Sequence, residues 1–369
     1  MPVYVYLYGM ITAATTLPFA ALKPSFEGEL YFDESIEHAA QRTLYATDAS
    51  VYQERPLAVA VPRTVEDIKR LVRFARTNKT ALIPRAAGTS LAGQVVGSGI
   101  VADISTHFTK ILEINAAERW VRVQPGVIRD DLNAALRPHG LMFGPETSTA
   151  SRAMIGGMIG NNSCGLHSIV WGTTRDHLLE VRAVLADGAE VTFRNLTADE
   201  WAAKCRGENV VSPLEQRIYQ QFHAWLSDPQ LIEQIRAGYP NANVTRRNTG
   251  YALDALIGEE GEKREEGEEG SRYKKIAARS SLSSPSSLLP LIAGSEGTLC
   301  FITEAKLNLL PLPPAHVGLV CAHFQTLRQS LEANLVALEH GCWASELVDD
   351  YILQLTKTNT EQAKDRTFV

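Results

Sequence analysis

Residues 144–176 read GPETSTASRAMIGGMIGNNSCGLHSIVWGTTRD, a run of small, hydroxyl and amide side chains with almost no net charge. That composition suits neither a solvated surface loop nor a core helix. Gly156, Gly157, Gly160 and Gly165 remove side chains where a backbone must come close to something, and Ser148, Thr149, Ser151, Asn161, Asn162 and Ser163 set hydrogen-bonding groups around them. The stretch is expected to wrap a large polar cofactor.

Working outward toward the N-terminus, residues 56–61 have the signature of a buried strand. Val65–Thr77 places Ile68, Leu71, Val72 and Ala75 at helical spacing, with Thr64 positioned to cap the helix. A second strand at 81–84 makes this a β-α-β opening. It runs into 85–94, RAAGTSLAGQ, where Gly88 and Gly93 hinge around Thr89 and Ser90. A glycine-rich turn at a strand end can aim several N–H groups at a pyrophosphate; a plain strand-to-strand turn is the blander alternative. Residues 97–102 match G-x-G-x-x-A, but 100–104 continue as a strand, not a helix, so a nicotinamide-type Rossmann site is not expected.

On the C-terminal side, strands are expected at 111–114 and 120–123, a helix at 127–138, and a hairpin of 178–185 with 190–193 across Asp187-Gly188. Residues 195–239 read as surface helices anchored by Trp201, Ile218, Phe222 and Trp225. Strands at 290–293 and 299–310 flank a third small turn, 294–298. Residues 258–287, rich in charge and serine, bury too little apolar area to order themselves and are expected to be a disordered insertion. The remainder reads strand 316–324, helix 325–340, strand 343–348 and helix 349–357.

A chain of 369 residues exceeds the roughly 250 to 300 residues at which single cores stop growing, so two or three lobes are expected. The net charge of -6 provides no basic field for nucleic acid or an anionic membrane. Cys164, Cys205, Cys300, Cys321 and Cys342 are widely spaced, without C-x-x-C. That fits thiols in a reducing, cytoplasmic setting and argues against an iron–sulfur cluster or structural zinc in this chain, so no metal site is assigned. His316, His323 and His340 likewise lack metal spacing, and Ser295 in AGSEG does not make a G-x-S-x-G elbow. Residues 1–22 carry no charged side chain, yet they lack the basic residues of a leader and are broken by Pro2, Gly9 and Pro18. An N-terminal extension is expected, with no integral membrane segment.

Three loops now stand in order on this strand background. The phrases PRAAGTSLAGQ, GPETSTASRAMIGGMIGNNSCG, WGTTRDH, RRNTGYALDAL and GSEGTLCFITEAKL resemble the FAD-binding domain of the vanillyl-alcohol oxidase and p-cresol methylhydroxylase (PCMH) type, in its D-lactate, glycolate and D-2-hydroxyglutarate dehydrogenase branch. The likeness covers about Phe26 to Leu312. It implies an α+β fold: an N-terminal extension (1–54), a two-subdomain PCMH-type FAD-binding domain (55–313), and an incomplete cap (314–369), the first half of a ferredoxin-like α/β domain. Carried over by motif, Arg85, Ala86, Ala87, Gly88, Thr89 and Ser90 form the pyrophosphate loop. Pro145, Ser148, Thr149, Gly156, Gly157, Asn161 and Gly165 line the flavin and the rest of the diphosphate, and Glu296 and the backbone near Ile302 close the adenosine end. Two phosphates in one groove need many donors at close range.

His167 is a candidate flavin contact, as is His177, beside the simpler view that each imidazole satisfies loop backbone groups. Arg175 and Asp176 could orient substrate, but an internal ion pair holding the loop is the simpler expectation, and Cys164 is expected to be a small filler. The resemblance implies oxidation of a small D-2-hydroxy acid to the 2-oxo acid, with hydride passing to flavin N5. In the family, the substrate arginine, metal-binding histidines and general base lie in a longer cap containing a G-E-H-G-D-G-like phrase. No such phrase occurs here, so no residue is assigned catalysis, and residues 144–176 are expected to hold flavin without deprotonating a substrate. The alternative is an FAD-binding subunit that depends on a cap-completing or iron–sulfur partner.

Overall fold

Strand β1 (Glu29–Tyr31), β2 (Ala58–Val61), β3 (Leu82–Arg85) and β4 (Ile100–Asp103) form the first sheet, in the order β1-β2-β4-β3. In this computed structural model, which describes residues 17–240, 244, 247, 250–257 and 287–356, β4 runs parallel to both β2 and β3. Every residue of β2 and β4 is buried, the state in which parallel strands read as unbroken apolar runs. Ahead of them, helix α1 (Phe19–Leu22) and the antiparallel edge strand β1 bring Phe19, Leu22, Phe26 and Leu30 into the same core, while α2 (Ile36–Leu44) packs outside β1.

Helix α3 (Val65–Thr77) begins and ends where its periodicity predicts. Thr64 accepts from the Asp67 N–H, and the Asp67 carboxylate returns the bond to Thr64 N, a reciprocal capping box. That carboxylate is fully buried and also accepts from the backbone N–H groups of Glu27 (2.9 Å), Gly28 (3.2 Å) and Arg63 (3.0 Å). One side chain thus caps the helix and fastens the N-terminal segment onto it. Gly28 is required there, because a Cβ would stand 2.0 Å from the carbonyl oxygen of Val61.

The second sheet is antiparallel: β5 (Ile111–Asn115), β6 (Trp120–Val123), β8 (Leu178–Val184), β9 (Glu190–Arg194) and β10 (Phe301–Asn308), in the order β5-β6-β10-β8-β9. β8 and β9 form the expected hairpin, with Gly188 at φ +83°. A small pair, β7 (Leu141–Met142) with β11 (Leu310–Pro311), closes one end. Helix α4 (Arg129–Leu136) covers this sheet through Leu132 and Leu136. Val184 and Phe301, paired across β8 and β10, are buried in the first core, where α3 touches β8. α3 therefore lies at the seam between the two sheets.

Two short helices, α5 (Ile155–Asn161) and α6 (Ser168–Trp171), lie within the glycine-rich stretch. Further on come α7 (Ala198–Arg206), α8 (Pro213–Leu226) and α9 (Pro229–Gly238). Among their expected anchors Trp201 is buried, against Tyr219, whereas Ile218 and Phe222 are only partly so. Residues 290–293, expected as a strand, belong to helix α10 (Leu289–Ile292), with Pro290 in its first turn, where a missing N–H costs nothing. An apolar run this short does not distinguish strand from helix.

Helices α11 (Leu327–Glu339) and α12 (Asp350–Thr356) match expectation, but residues 316–324 and 343–348 form no strand. Val317, Leu319 and Val320 are 84 to 90% exposed, and among the described residues no strand pairs with this segment to complete a ladder. Residues 258–286 of the expected insertion lie outside the described residues; Ser287 is buried.

Asp67→Ala is expected to lower stability by about 2 to 4 kcal/mol, because several backbone donors lose one charged acceptor. Urea unfolding measures this; a loss under about 0.5 kcal/mol, the level of an ordinary surface change, contradicts the role of Asp67 as a fastener.

Candidate cofactor-binding site

Helix α5 is built from IGGMIGN, poor helix-forming material, and both its ends are clamped by distant backbone. At the start, Ile155 N–H donates to the Val127 carbonyl (2.9 Å) and Gly156 N–H to the Pro125 carbonyl (2.7 Å). At the end, the Ile159 and Gly160 carbonyls accept from Gly294 N–H (3.0 Å) and Glu296 N–H (2.9 Å). The third loop thus supplies the donors that a helix C-terminus lacks. It turns sharply, with Gly294 at φ +102°, Glu296 at +51° and Gly297 at +75°.

The first loop meets the same helix. A Cβ on Gly157 would lie 3.8 Å from the Ala86 side chain, and one on Gly160 3.6 Å from Glu296 Cα. Gln94 Nε2 donates across to Glu296 Oε1 at 3.4 Å. The structure therefore brings together residues 85–94, α5 and 294–297, as the motifs imply. Gly157, Asn161, Ser148 and Glu296 are exposed, Ala86 to Ser90 half-buried, and Pro145 buried. Ile302 stands apart: it sits in β10 opposite Ala183, beside a register shift.

The Arg85 side chain acts on its own loop. Nη1 donates to the Thr47 carbonyl (2.8 Å), and the guanidinium lies over the Tyr45 ring at 5.1 Å. Tyr45 Oη in turn donates to Asp103, and burial together with this carboxylate pushes the phenol's pKa well up. Ala49 N–H holds the Gly88 carbonyl at 3.1 Å. Gly88 is at φ +65°, and a Cβ there would meet the Arg85 guanidinium at 2.6 Å. Among the described residues, none accepts a hydrogen bond from the backbone N–H groups of Ala86, Ala87, Gly88, Thr89 or Ser90. Five consecutive half-buried donors, on a loop a side chain would obstruct, suit a diphosphate. A cleft of about 500 Å³ runs beside this loop, lined by Tyr45, Arg85, Ala86, Ala87, Arg152 and Met154 among others.

Downstream of α5, Asn162 is fully buried at φ +51°; its Oδ1 accepts from Arg175 N–H (2.8 Å), while Nδ2 has no partner among the described residues. The expected Arg175–Asp176 pair is not the arrangement found. Arg175 reaches the third loop, donating through Nη2 to the Ala293 carbonyl (2.6 Å) and through Nε to that of Pro290 (3.1 Å). Asp176 instead caps Thr173. Carbonyl acceptors satisfy the guanidinium without burying a carboxylate, and burial pushes the Arg175 pKa down.

His177 is fully buried, so it touches no cofactor in this groove. Its Nε2 lies 2.7 Å from the Trp171 carbonyl, and its Nδ1 lies 3.2 Å from the Asn308 carbonyl and 3.4 Å from the same residue's Nδ2; a neutral ring that donates from Nε2, the shorter contact, leaves Nδ1 to accept from Asn308 Nδ2. Burial pushes its pKa below the ordinary 6.5. His167 is part-exposed, stacked on Trp171 and bonded through Nδ1 to Glu146. Glu146 escaped the sequence reading, since a lone acid after a proline has no motif; the signal available was Gly165, whose Cβ would stand 2.1 Å from Glu146 Cγ.

Residues 56–194 match the family described as FAD binding domain. This segment is an FAD binding domain. Across a wider span, the chain is 37% identical to D-2-hydroxyglutarate dehydrogenase of Pseudomonas putida over 86% of its own length and 28% of the relative's. It is 34% identical to the enzyme of the same name from Haemophilus influenzae, over 90% of this chain and 29% of that one. Glycolate oxidase subunit GlcD of Bacillus subtilis is 36% identical over 42% of this chain and 33% of the subunit. The chain thus spans less than a third of the length of these curated relatives. Among solved structures, alkyldihydroxyacetonephosphate synthase superposes with a TM-score of 0.48 at 18% identity, covering 80% of this chain and 44% of that one. Among the described residues no helix is long and apolar enough to cross a membrane.

The FAD binding domain carries a pH dependence through His177. Its pKa is lower in the folded state than unfolded, so below about pH 6.5 the unfolded state binds the extra proton and stability falls; above 6.5 this group contributes no slope. Urea midpoints at pH 7.5 and 5.5 are expected to differ more in the wild type than in His177→Gln. Equal differences contradict the assignment.

Proposed function

We propose that this chain is an FAD-dependent oxidoreductase that converts a D-2-hydroxy acid of the lactate, glycolate or 2-hydroxyglutarate type to the 2-oxo acid. What carries this reading is the likeness to D-2-hydroxyglutarate dehydrogenases along 86 to 90% of the chain, on top of an FAD binding domain whose three loops meet at α5. In this reading the domain spans 55–313, after an extension of 1–54 and before a cap segment of 314–369, and the protein is cytoplasmic.

Bound FAD supplies a hydride acceptor; the protein's own contribution is placement. The backbone donors of Ala86 to Ser90 meet the diphosphate, and Arg85 keeps that loop in shape. Gly156 and Gly157 let backbone come close to the cofactor, and Pro145, Ser148, Thr149, Asn161, Gly165 and His167 line the flavin. Glu296 and Ile302 close the adenosine end. These roles are carried onto this sequence by motif and suit the donor chemistry a dinucleotide needs; Ile302, which stands apart in β10, rests on the motif alone.

A second reading has its own observation. The GlcD relative is named a subunit, and apolar side chains of residues 317–320 stand exposed. On that reading the chain holds FAD but needs a partner chain for substrate. Purified protein titrated with FAD and then given D-lactate, glycolate and D-2-hydroxyglutarate separates the two: bleaching of flavin absorbance supports the enzyme, and bound but unbleached flavin supports the dependent subunit. Failure to bind FAD refutes both.

Gly88→Ala is expected to weaken FAD binding at least tenfold, about 1.4 kcal/mol, because φ +65° strains any side chain and the Cβ displaces Arg85. Fluorescence titration measures it, with circular dichroism unchanged. An unaltered affinity removes the loop from the site.

A further inference from the structure

Arg152 holds an unengaged charge on a rigid backbone. Among the described residues its guanidinium makes no hydrogen bond, ion pair or ring contact. The main chain around it is fixed: Arg152 N–H donates to the Thr149 carbonyl (2.8 Å), the Ala153 carbonyl accepts from Arg129 N–H (2.9 Å), and Met154 bridges to Ile128.

The residue lines the cleft of about 500 Å³ beside the first loop, together with Ile128 and Met154. That cleft lies at the carboxyl ends of two parallel strands, β3 ending at Arg85 and β4 at Asp103, which is where open parallel sheets take their ligands. Its wall includes Ala86 and Ala87, the first two of the five backbone donors that lack an acceptor.

Two other charged side chains line the cleft, and both are engaged. Arg85 donates to the Thr47 carbonyl and lies over the Tyr45 ring. Asp103 is 4% exposed and accepts from Tyr45 Oη and, at 2.6 Å, from Ser105 N–H. Their charges offset each other, so Arg152 sets the sign of the cleft. Backbone N–H groups give an anion direction but carry no net charge, whereas a guanidinium brings both a charge and a planar fork of donors that matches phosphate oxygens. Arg152 is exposed, so its charge is available without any existing contact being broken.

We infer that Arg152 is the side chain that meets the FAD diphosphate and supplies the charge that the first loop's backbone donors lack, an inference that rests on the FAD half of the function proposed above. The loop gives the diphosphate its orientation, and Arg152 neutralises it. FAD binding therefore carries a salt dependence that passes through this one residue.

Fluorescence titration of FAD into Arg152→Gln and Arg152→Lys tests the role, in about 0.1 M and about 1 M salt, between which the screening length falls from about 10 Å to about 3 Å. R152Q is expected to bind FAD about tenfold more weakly than wild type at the lower salt and within about threefold of it at the higher, while R152K stays within about threefold at both. An R152Q that matches wild type at the lower salt overturns the inference. So does a deficit equally large at both salts, which marks lost packing and not lost charge. A wild type that binds no FAD refutes this role and the proposed function together. A wild type that binds FAD with the expected salt pattern but oxidises none of the hydroxy acids refutes the enzyme reading and supports this role.

Discussion

The site depends on the clamping of α5. A seven-residue helix containing three glycines has little reason to exist alone: nucleation is unfavourable and each glycine costs up to about 1 kcal/mol against alanine. It exists because the Pro125 and Val127 carbonyls take its first donors while Gly294 and Glu296 amides cover its last acceptors. The glycines that weaken it as a helix are what let those backbones approach. Removing any one side of this arrangement loosens the first loop from the third, which otherwise meet directly through the Gln94–Glu296 hydrogen bond.

Legibility tracked how local the cause was. The limits of α3 could be read because Thr64, Asp67 and the apolar spacing all lie within one short window, and the β8–β9 hairpin because Asp187-Gly188 names its own turn. The helix inside 144–176 could not, because its stabilising partners sit at 125–127 and 294–296. Arg175 was misjudged for the same reason: its nearest neighbour in sequence is an acid, but its acceptors are carbonyls more than 100 positions away. The fold class and the meeting of three loops were readable through whole phrases and not single residues. Ile302 shows the limit of that method, since a motif position carries a residue to a strand without saying what its backbone is free to do.

The groove also divides labour between backbone and side chain. The open donors of the first loop are main chain, which neither rotates away nor titrates, while side chains such as Arg85 and Arg175 turn to carbonyls and keep the loops in place. Charged groups are thereby spent on shape, and the net charge of the chain can stay negative around an anionic ligand. Glu146 and His167 instead bond to each other, Oε1 to Nδ1 at 2.7 Å.

The position of α3 at the seam has a kinetic consequence. Val184 and Phe301 complete the core around a helix that starts at Val65, so the two sheets cannot finish packing independently. Contacts of such sequence separation form late, because loop closure entropy must be met before they are rewarded. The three loops should therefore come together near the end of folding, and a ligand that recognises only their assembled form would act by mass action, holding closed the last part of the molecule to fold and the first to open.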